Sequence, residues 1–230
     1  MTKNIISIII PVLNEAGIIK STLQNLQSKS NLEIILVDGG SKDNTVNIAQ
    51  EIGVEVITVT GGRSTQMNAG ANIAQGNILL FLHVDTLLPP NFNHLVRQTL
   101  KQPQVIAGAF ELAIDGREKS LRWVEILVKL RSHLFSLPYG DQAIFITKQI
   151  FVEIGGFADL PIMEDFELIQ RLKQRGKIAI TSAAVTTSGR RWQKLGVAKT
   201  TLINQLIIAG YYLGISPAKL SKFYRDQAKK

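Results

Sequence analysis

Two acidic clusters, far apart in the chain, carry residue types that could do chemistry. His83-Val84-Asp85 ends the apolar run Ile78-Leu79-Leu80-Phe81-Leu82, and Glu164-Asp165 opens an amphipathic helical stretch. A buried strand ending in an imidazole and a carboxylate brings charge to the edge of a sheet, where open α/β proteins bind ligands. His83 and Asp85 stand two apart on extended backbone, so both side chains leave the same side. Imidazole with carboxylate suits Mn²⁺ better than Mg²⁺, which prefers oxygen ligands. Asp165, with Glu164 beside it, has the chemistry of a general base for an incoming hydroxyl. Both clusters also have bland readings. A lone histidine on an apolar strand is ordinarily a core residue, and acids at a helix start favour the helix dipole.

Four further segments could serve the same ligand. Asp38 ends the apolar run Glu33–Val37 just before Gly39-Gly40, and a carboxylate there can accept from a base N–H or a ribose hydroxyl. Gly61-Gly62-Arg63-Ser64 opens a helical pattern with the glycines and fixed cation of a phosphate site. It lacks both the Lys-Ser/Thr of a Walker loop and the GxGxxG spacing, and turn-and-cap is the alternative. Gly140-Asp141-Gln142 precedes a strand and could line an acceptor. Ser188-Gly189-Arg190-Arg191-Trp192 offers cations and an aromatic face, to neutralise a diphosphate or simply to begin a basic tail.

The elements that must position these residues alternate strand and helix up to residue 83. Strands are predicted at Ile5–Val12, Glu33–Val37, Val54–Thr58 and Ile78–Leu82, with helices near Ala16–Gln27, Asn44–Glu51 and Ser64–Ala74. Continuous apolar runs of this length fit parallel strands buried on both faces, and the repetition implies right-handed crossovers in a doubly wound sheet. After Pro89-Pro90 the rhythm changes: a helix (Asn91–Lys101), an alternating strand (Val105–Ile114), a long helix (Glu118–Leu137), a strand (Ala143–Ile146) and a helix from Asp165. The long helix is expected to bury its apolar face; lying in a membrane interface is the alternative. Leu202–Ile215 is strongly apolar but shorter than the ~20 residues of a spanning helix, and a last helix is predicted at Lys219–Lys230.

The 230 residues suffice for one sizeable α/β domain with a short appendage. No cysteine is present, which excludes disulfides, thiolate metal sites and a Cys nucleophile. The run from Ile5 reads as a strand rather than a signal peptide, so a cytoplasmic protein is expected. The net charge of +8 is uneven: residues 1–188 hold 17 basic and 17 acidic side chains, whereas 189–230 hold 9 basic and one acidic, Asp226. A neutral body with a basic, apolar tail suggests an anionic membrane surface, on the inner face of the cell membrane, or else a solvated tail. Nucleic acid is disfavoured as a partner.

Taken in order, IIIPVLNE, VDGGSKDNT, LLFLHVDT, GDQAIF, FADLPIMEDFEL and GRRW resemble glycosyltransferase family 2, over roughly residues 5–192. GGRSTQMNAGA and LHVDT are most similar to a small bacterial subgroup of short transferases. The resemblance implies the GT-A fold, a Rossmann-like doubly wound, mostly parallel sheet. Residues 1–85 would form the nucleotide-sugar half, 86–192 the acceptor and catalytic half, and 193–230 a basic helical extension. It implies inverting transfer from a nucleotide-diphosphate sugar, chiefly a uridine one, to a hydroxyl or carboxylate acceptor that could be carried on a lipid. Pro11, Asn14, Glu15 and Asp38 would line the nucleotide pocket, with Arg63, Asn68 and Arg191 near the donor. Asp85 matches the metal-contacting acid of the family's Asp-x-Asp motif, Asp165 its catalytic base, and Arg191-Trp192 the end of its Gln-x-x-Arg-Trp motif. Gly140, Asp141, Gln142 and Trp192 would face the acceptor.

This chain departs from that pattern in two places. His83 replaces the first Asp, so it would meet either ribose or metal. Ser188 stands where the Gln belongs, which argues against processive synthesis. Two other classes compete: a sugar nucleotidyltransferase, disfavoured because Val12-Leu13-Asn14-Glu15 is not a Gly-rich basic loop, and a non-catalytic transferase-like binding protein.

Overall fold

Ile6, Ile8 and Ile10 face one side of the first strand and Ile9 the other, and all four are fully buried. Burial on both faces, with the period of two that extended backbone imposes, is what a central strand needs. The computed structural model describes residues 5–26 and 31–229; Gln27 and Lys230, at the ends of two predicted helices, lie outside the described residues. The first half runs β1 (Ile6–Val12), α1 (Ile19–Leu26), β2 (Leu32–Asp38), α2 (Thr45–Glu51), β3 (Glu55–Thr58), α3 (Arg63–Ile73) and β4 (Ile78–Phe81). These strands lie parallel in the order β3-β2-β1-β4. Helix α3 comes so close to β1 that a Cβ on Gly70 would stand 2.6 Å from Ile9 Cγ2.

The second half runs β5 (Thr86–Leu87), α4 (Phe92–Leu100), β6 (Val105–Asp115), α5 (Lys119–Phe135), a 3-10 turn (Gly140–Gln142), β7 (Phe145–Thr147), α6 (Lys148–Glu153), α7 (Glu164–Lys173) and β8 (Lys177–Ser188). Three helices follow: α8 (Arg190–Leu195), α9 (Val197–Tyr212) and α10 (Pro217–Lys229). The sheet continues as β4-β7-β6-β8-β5, with β7 antiparallel to both neighbours, β8 parallel to β6 and β5 antiparallel to β8. The sheet is therefore parallel in its first half and mixed in its second. Sequence reasoning did not find β8, because Ala, Thr and Ser fill Ala179–Ser188 and weaken the alternation.

Helices cover both faces. α1, α2, α4 and α5 enclose one core with Ile6, Ile8 and Ile10; α3, α6 and α7 enclose the other with Ile9, Val37 and Phe81. A third cluster joins Met163 and Phe166 to Ile203, Ile207 and Leu220, fastening α9 and α10 onto α7. At about 1.5–3 kcal/mol per buried large apolar side chain, these contacts hold the C-terminal helices in place. Among the described residues no helix is long and apolar enough to cross a membrane.

The burial expected of α5 is corrected. Its inner face holds Leu121, the half-buried Val124 and Val128, and the polar Glu125 and Ser132. Ile114 N–H donates to Glu125 Oε1 at 2.6 Å, and Ser132 Oγ donates to Gln142 at 3.0 Å. The polar residues turn inward because β6 and the 3-10 turn present them with partners. The bulk of the apolar side chains point outward.

Candidate active site

Parallel strands end at one edge, and Val12, Asp38 and Thr58 share a row there. The loops after β1 and β2 are laced together: Asn14 N–H donates to Ser41 Oγ, Lys42 N–H to Asn14 Oδ1, and Glu15 N–H to Thr45 Oγ1, each at 2.8 Å. Gln66, buried on α3, donates to the carbonyls of both Val12 (2.9 Å) and Val37 (2.8 Å), tying the two strand ends. Beside it lies a cavity of about 370 Å³ lined by Pro11, Glu15, Arg63, Gln66, His83 and Asp85 among others.

A second cavity, about 380 Å³, opens on the other side of His83 and Asp85 and reaches Asp165, Asp141, Arg191 and Trp192. Arg63, His83 and Asp85 line both cavities. Glu164 is buried and stands 3.5 Å from Arg63; burial, and then the neighbouring Asp165, raise its pKa. Met163, in the left-handed region at φ 68°, turns the chain into α7. Asp165 is held at both oxygens: Gly140 N–H donates to Oδ2 at 2.6 Å and Phe166 N–H to Oδ1 at 2.7 Å. A Cβ on Gly140 would lie 3.1 Å from both Asp165 Oδ2 and His83 Nε2, so the glycine leaves room for the carboxylate and the imidazole on either side of it. Gln142 holds this turn in place, donating to Phe110 O at 2.8 Å and accepting from Arg131 at 2.9 Å.

The electrostatics follow from burial. Burial, helped by Arg63, lowers the His83 pKa to about 3, which leaves a neutral imidazole. Burial raises Asp141 to about 6 against the pull of Arg131; the residue is half-buried overall, but its Oδ1 is inaccessible and unpartnered. Glu15 is also raised by burial, opposed by Arg190. Asp85 and the neutral His83 line both cavities and are the side chains available to a divalent ion. Val84 and Asp85 form a turn, closed by Thr86 N–H donating to His83 O at 3.0 Å, in place of the extended backbone expected. Among the described residues no three His, Cys, Asp or Glu side chains are grouped to hold one. Two protein ligands suffice where substrate phosphate oxygens complete the shell, as small hard cations commonly require.

Not every predicted residue reaches these cavities. Asp38 is buried and turned onto its own loop, accepting from Gly40 N–H (2.9 Å) and Ser41 N–H (3.0 Å). Asn68 exchanges two hydrogen bonds with the Phe157 backbone, at 2.8 and 2.9 Å. Asn14 and Gln142 are engaged as described, so both orient loops. Arg191 lies with its guanidinium 3.7 Å above the Tyr224 ring, and both line the second cavity. Its neighbour Arg190, which sequence reasoning offered only as part of the Ser188–Trp192 cation segment, reaches Asp85 (3.4 Å) and Glu15 (3.7 Å). The pairing of β5 with β8 brings it there, since Asp85 immediately precedes β5 and Arg190 follows β8. The C-terminal helices supply Asn204, Ile207, Ile208 and Tyr224 to the second cavity, and no local motif marks them.

Solved structures share this fold. A mannosyltransferase from Pyrobaculum calidifontis, in complex with GDP-Man and Mn²⁺, superposes with a TM-score of 0.63 at 18% identity, over 79% of this chain and 56% of its own. S. aureus TarS 1-349 in complex with UDP-GlcNAc gives 0.64 at 17%, over 80% and 58%. Glucosyl-3-phosphoglycerate synthase from Mycobacterium tuberculosis, in complex with Mn²⁺, UDP and glucosyl-3-phosphoglycerate, gives 0.63 at 20%, over 89% and 79%. These are GT-A glycosyltransferases. In sequence, an uncharacterized glycosyltransferase of Rickettsia felis is 32% identical over 184 residues, covering 71% of this chain. A PGL/p-HBAD biosynthesis glycosyltransferase of Mycobacterium bovis is 31% identical over 172 residues, covering 68%. The chain spans 30% of the first relative's length and 64% of the second's. Residues 7–158, more than half of the chain, match the family described as glycosyl transferase family 2, and the chain belongs to that family.

Proposed function

We propose that this protein is an inverting glycosyltransferase that moves a sugar from a nucleotide-diphosphate sugar to an acceptor hydroxyl. The observation that carries the reading is that Asp85 and Asp165, eighty positions apart, line one cavity together with His83 and Arg63. The first cavity takes the nucleotide, beside Pro11, Glu15 and Arg63, and we take the donor to be a uridine one, as held by TarS and the phosphoglycerate synthase. Asp38 would reach the base or ribose only by giving up its own loop contacts.

In the reaction an acceptor oxygen attacks the anomeric carbon, the bond from that carbon to the phosphate oxygen breaks, and its electron pair leaves with the diphosphate. Asp165 takes the acceptor proton as the new bond forms. The two backbone N–H groups on its carboxylate fix its direction, and a positioned base of this kind contributes about 10²–10⁴-fold. Arg63 and Arg190 stand where charge gathers on the leaving group and stabilise it more in the transition state than before. His83 and Asp85 would hold a divalent ion, Mn²⁺ in preference to Mg²⁺, which when bound supplies further charge for the diphosphate. Gly140, Asp141 and Trp192 face the acceptor, and Gln142 braces them. The apolar lining of Ile162, Met163, Phe166, Ile207 and Ile208 suits an amphiphilic, lipid-like acceptor.

Incubation with a panel of nucleotide sugars, with Mn²⁺ or Mg²⁺, tests the reading through release of nucleoside diphosphate. We expect release from at least one donor and its loss in Asp85→Ala. Release that is unchanged in that variant overturns the assignment.

A further inference from the structure

We propose that the outward faces of α5 and α9 form one surface that docks on an anionic lipid bilayer. On α5, Trp123, Ile126, Leu127, Leu130 and Leu134 follow the helical spacing of a single stripe, directly opposite the inner face around Val128 and Ser132. Trp123 is 69% exposed and Leu134 71%. Helix α9 carries large apolar residues on both its inner and outer faces: Ile203 and Ile207 face the body, while Leu202 and Leu206, with Leu213 just past its end, face out beside Lys199 and Gln205. An outward face that mixes leucines with a lysine fits a lipid headgroup boundary. α5 and α9 touch, so their exposed apolar residues lie on neighbouring helices. Scattered exposed leucines need no explanation, but apolar residues concentrated on two touching helices mark an interaction surface.

Charge selects the occupant. Residues 189–230 carry nine basic side chains against one acid, and Lys199, Lys219, Lys222 and Arg225 are exposed on α9 and α10. On α5 itself Arg122 and Lys129 are paired with Glu125 and Glu111, so the larger excess of positive charge lies on the C-terminal helices. A second copy docked about a two-fold axis would bring two such basic regions into one interface with only one acid each to offset them. An anionic headgroup layer attracts them instead, by about fivefold in binding for each Lys or Arg near its surface. Neither helix spans a bilayer, so both would lie in the interface plane with their apolar stripes in the headgroup boundary. The inner face of α9 lines the second cavity through Asn204, Ile207 and Ile208. The helix would thus separate lipid from the site by one side-chain layer, a consequence that rests on the transferase reading; the docking does not.

Flotation of the purified protein with vesicles of phosphatidylcholine, alone or with about 30% phosphatidylglycerol, tests the proposal. The protein is expected to float with the anionic vesicles at low salt, to be released by high salt, and to stay behind with phosphatidylcholine alone. Leu202→Glu with Leu206→Glu should cut binding at least tenfold, and Lys199→Gln with Lys222→Gln about fivefold for each lysine removed. Circular dichroism and the melting midpoint check that each variant folds; Trp123→Ser with Leu127→Ser replaces the leucine pair if it does not. No flotation at low salt, or apolar-face variants that float like the parent, overturns the proposal. So does a dimer, seen by light scattering, that Leu206→Glu dissolves, since a second copy would then own the face. Diphosphate release without vesicles is read in parallel: if it persists while flotation fails, the docking alone falls. Asp165→Asn should float as the parent does.

Discussion

Val12, Asp38 and Thr58 end three parallel strands in one register on the proposed donor side, whereas the proposed acceptor side takes Tyr139, Asp165, Arg191 and Tyr224 from four separate stretches of chain. On the donor side a strand and the turn after it decide where each side chain goes, and Gln66 ties two strand ends through backbone carbonyls. On the acceptor side each group depends on a packing contact made elsewhere: Asp165 on the Gly140 turn, that turn on Gln142, Gln142 on α5, and Tyr224 on α9. The proposed donor edge is therefore set by strand register and the hydrogen bonds of two short loops. The acceptor wall is adjustable by changing a few contacts, and one fold can keep its donor chemistry while its acceptor varies.

The sharpest break in this comparison is Asp165→Asn. It should lower transfer by about 10²–10⁴-fold while donor affinity, measured by calorimetry, stays within about twofold. Equal losses in both would mean that the two sides are not separable. Next is Asp141, whose carboxyl burial raises from the usual 3.8 to about 6. A raised carboxyl keeps its proton longer in the folded state than in the unfolded chain. Stability therefore falls as pH climbs from about 4 to about 6 and stays lower above that, by at most roughly 3 kcal/mol. Asp141→Asn should raise the melting midpoint at pH 8 and leave it unchanged near pH 4; an equal gain at both would sink the assignment.

Gly140→Ala comes third. Its new Cβ, 3.1 Å from both Asp165 Oδ2 and His83 Nε2, must displace one of them by a few tenths of an ångström. We expect about a tenfold loss in kcat with donor KM unchanged, given how steeply rate depends on placement. A variant with intact kcat would show that the base is not held by this turn. The smallest effect is Arg190→Ala. Its side chain is 55% exposed and its pairs with Asp85 and Glu15 are long. Exposed pairs are worth about 0–1 kcal/mol, so kcat should fall about threefold to fivefold with donor KM little changed, an effect reduced by salt. A hundredfold loss would move Arg190 from helper to principal phosphate contact.

The parallel half was legible because each of its strands is an unbroken apolar run. His83 and Asp85 stood out because so apolar a strand ends in two ligand-type side chains. Asp165 stood out only as one of several acids at a helix start, a pattern that capping also produces. Asn68 carried no mark separating a loop brace from a ligand contact, since an amide serves either. Arg190 and Arg191 are adjacent cations, yet one faces Asp85 and the other Tyr224, because the helix they begin turns successive side chains about 100° apart. The α5 pattern was readable but its direction was not, since β6 and the 3-10 turn offer partners that only the folded chain brings near.

By itself the sequence determined the strands, the edge at which they end and the chemical types waiting there, because backbone periodicity and apolar runs act over a few residues. The tertiary structure alone decided that Asp85, Asp165 and Arg190 share one space, that Asp38 turns away, and that α9 closes the second cavity. Those outcomes depend on strand pairing and helix packing between residues about eighty to a hundred positions apart, where the gain comes from contacts that no local stretch contains.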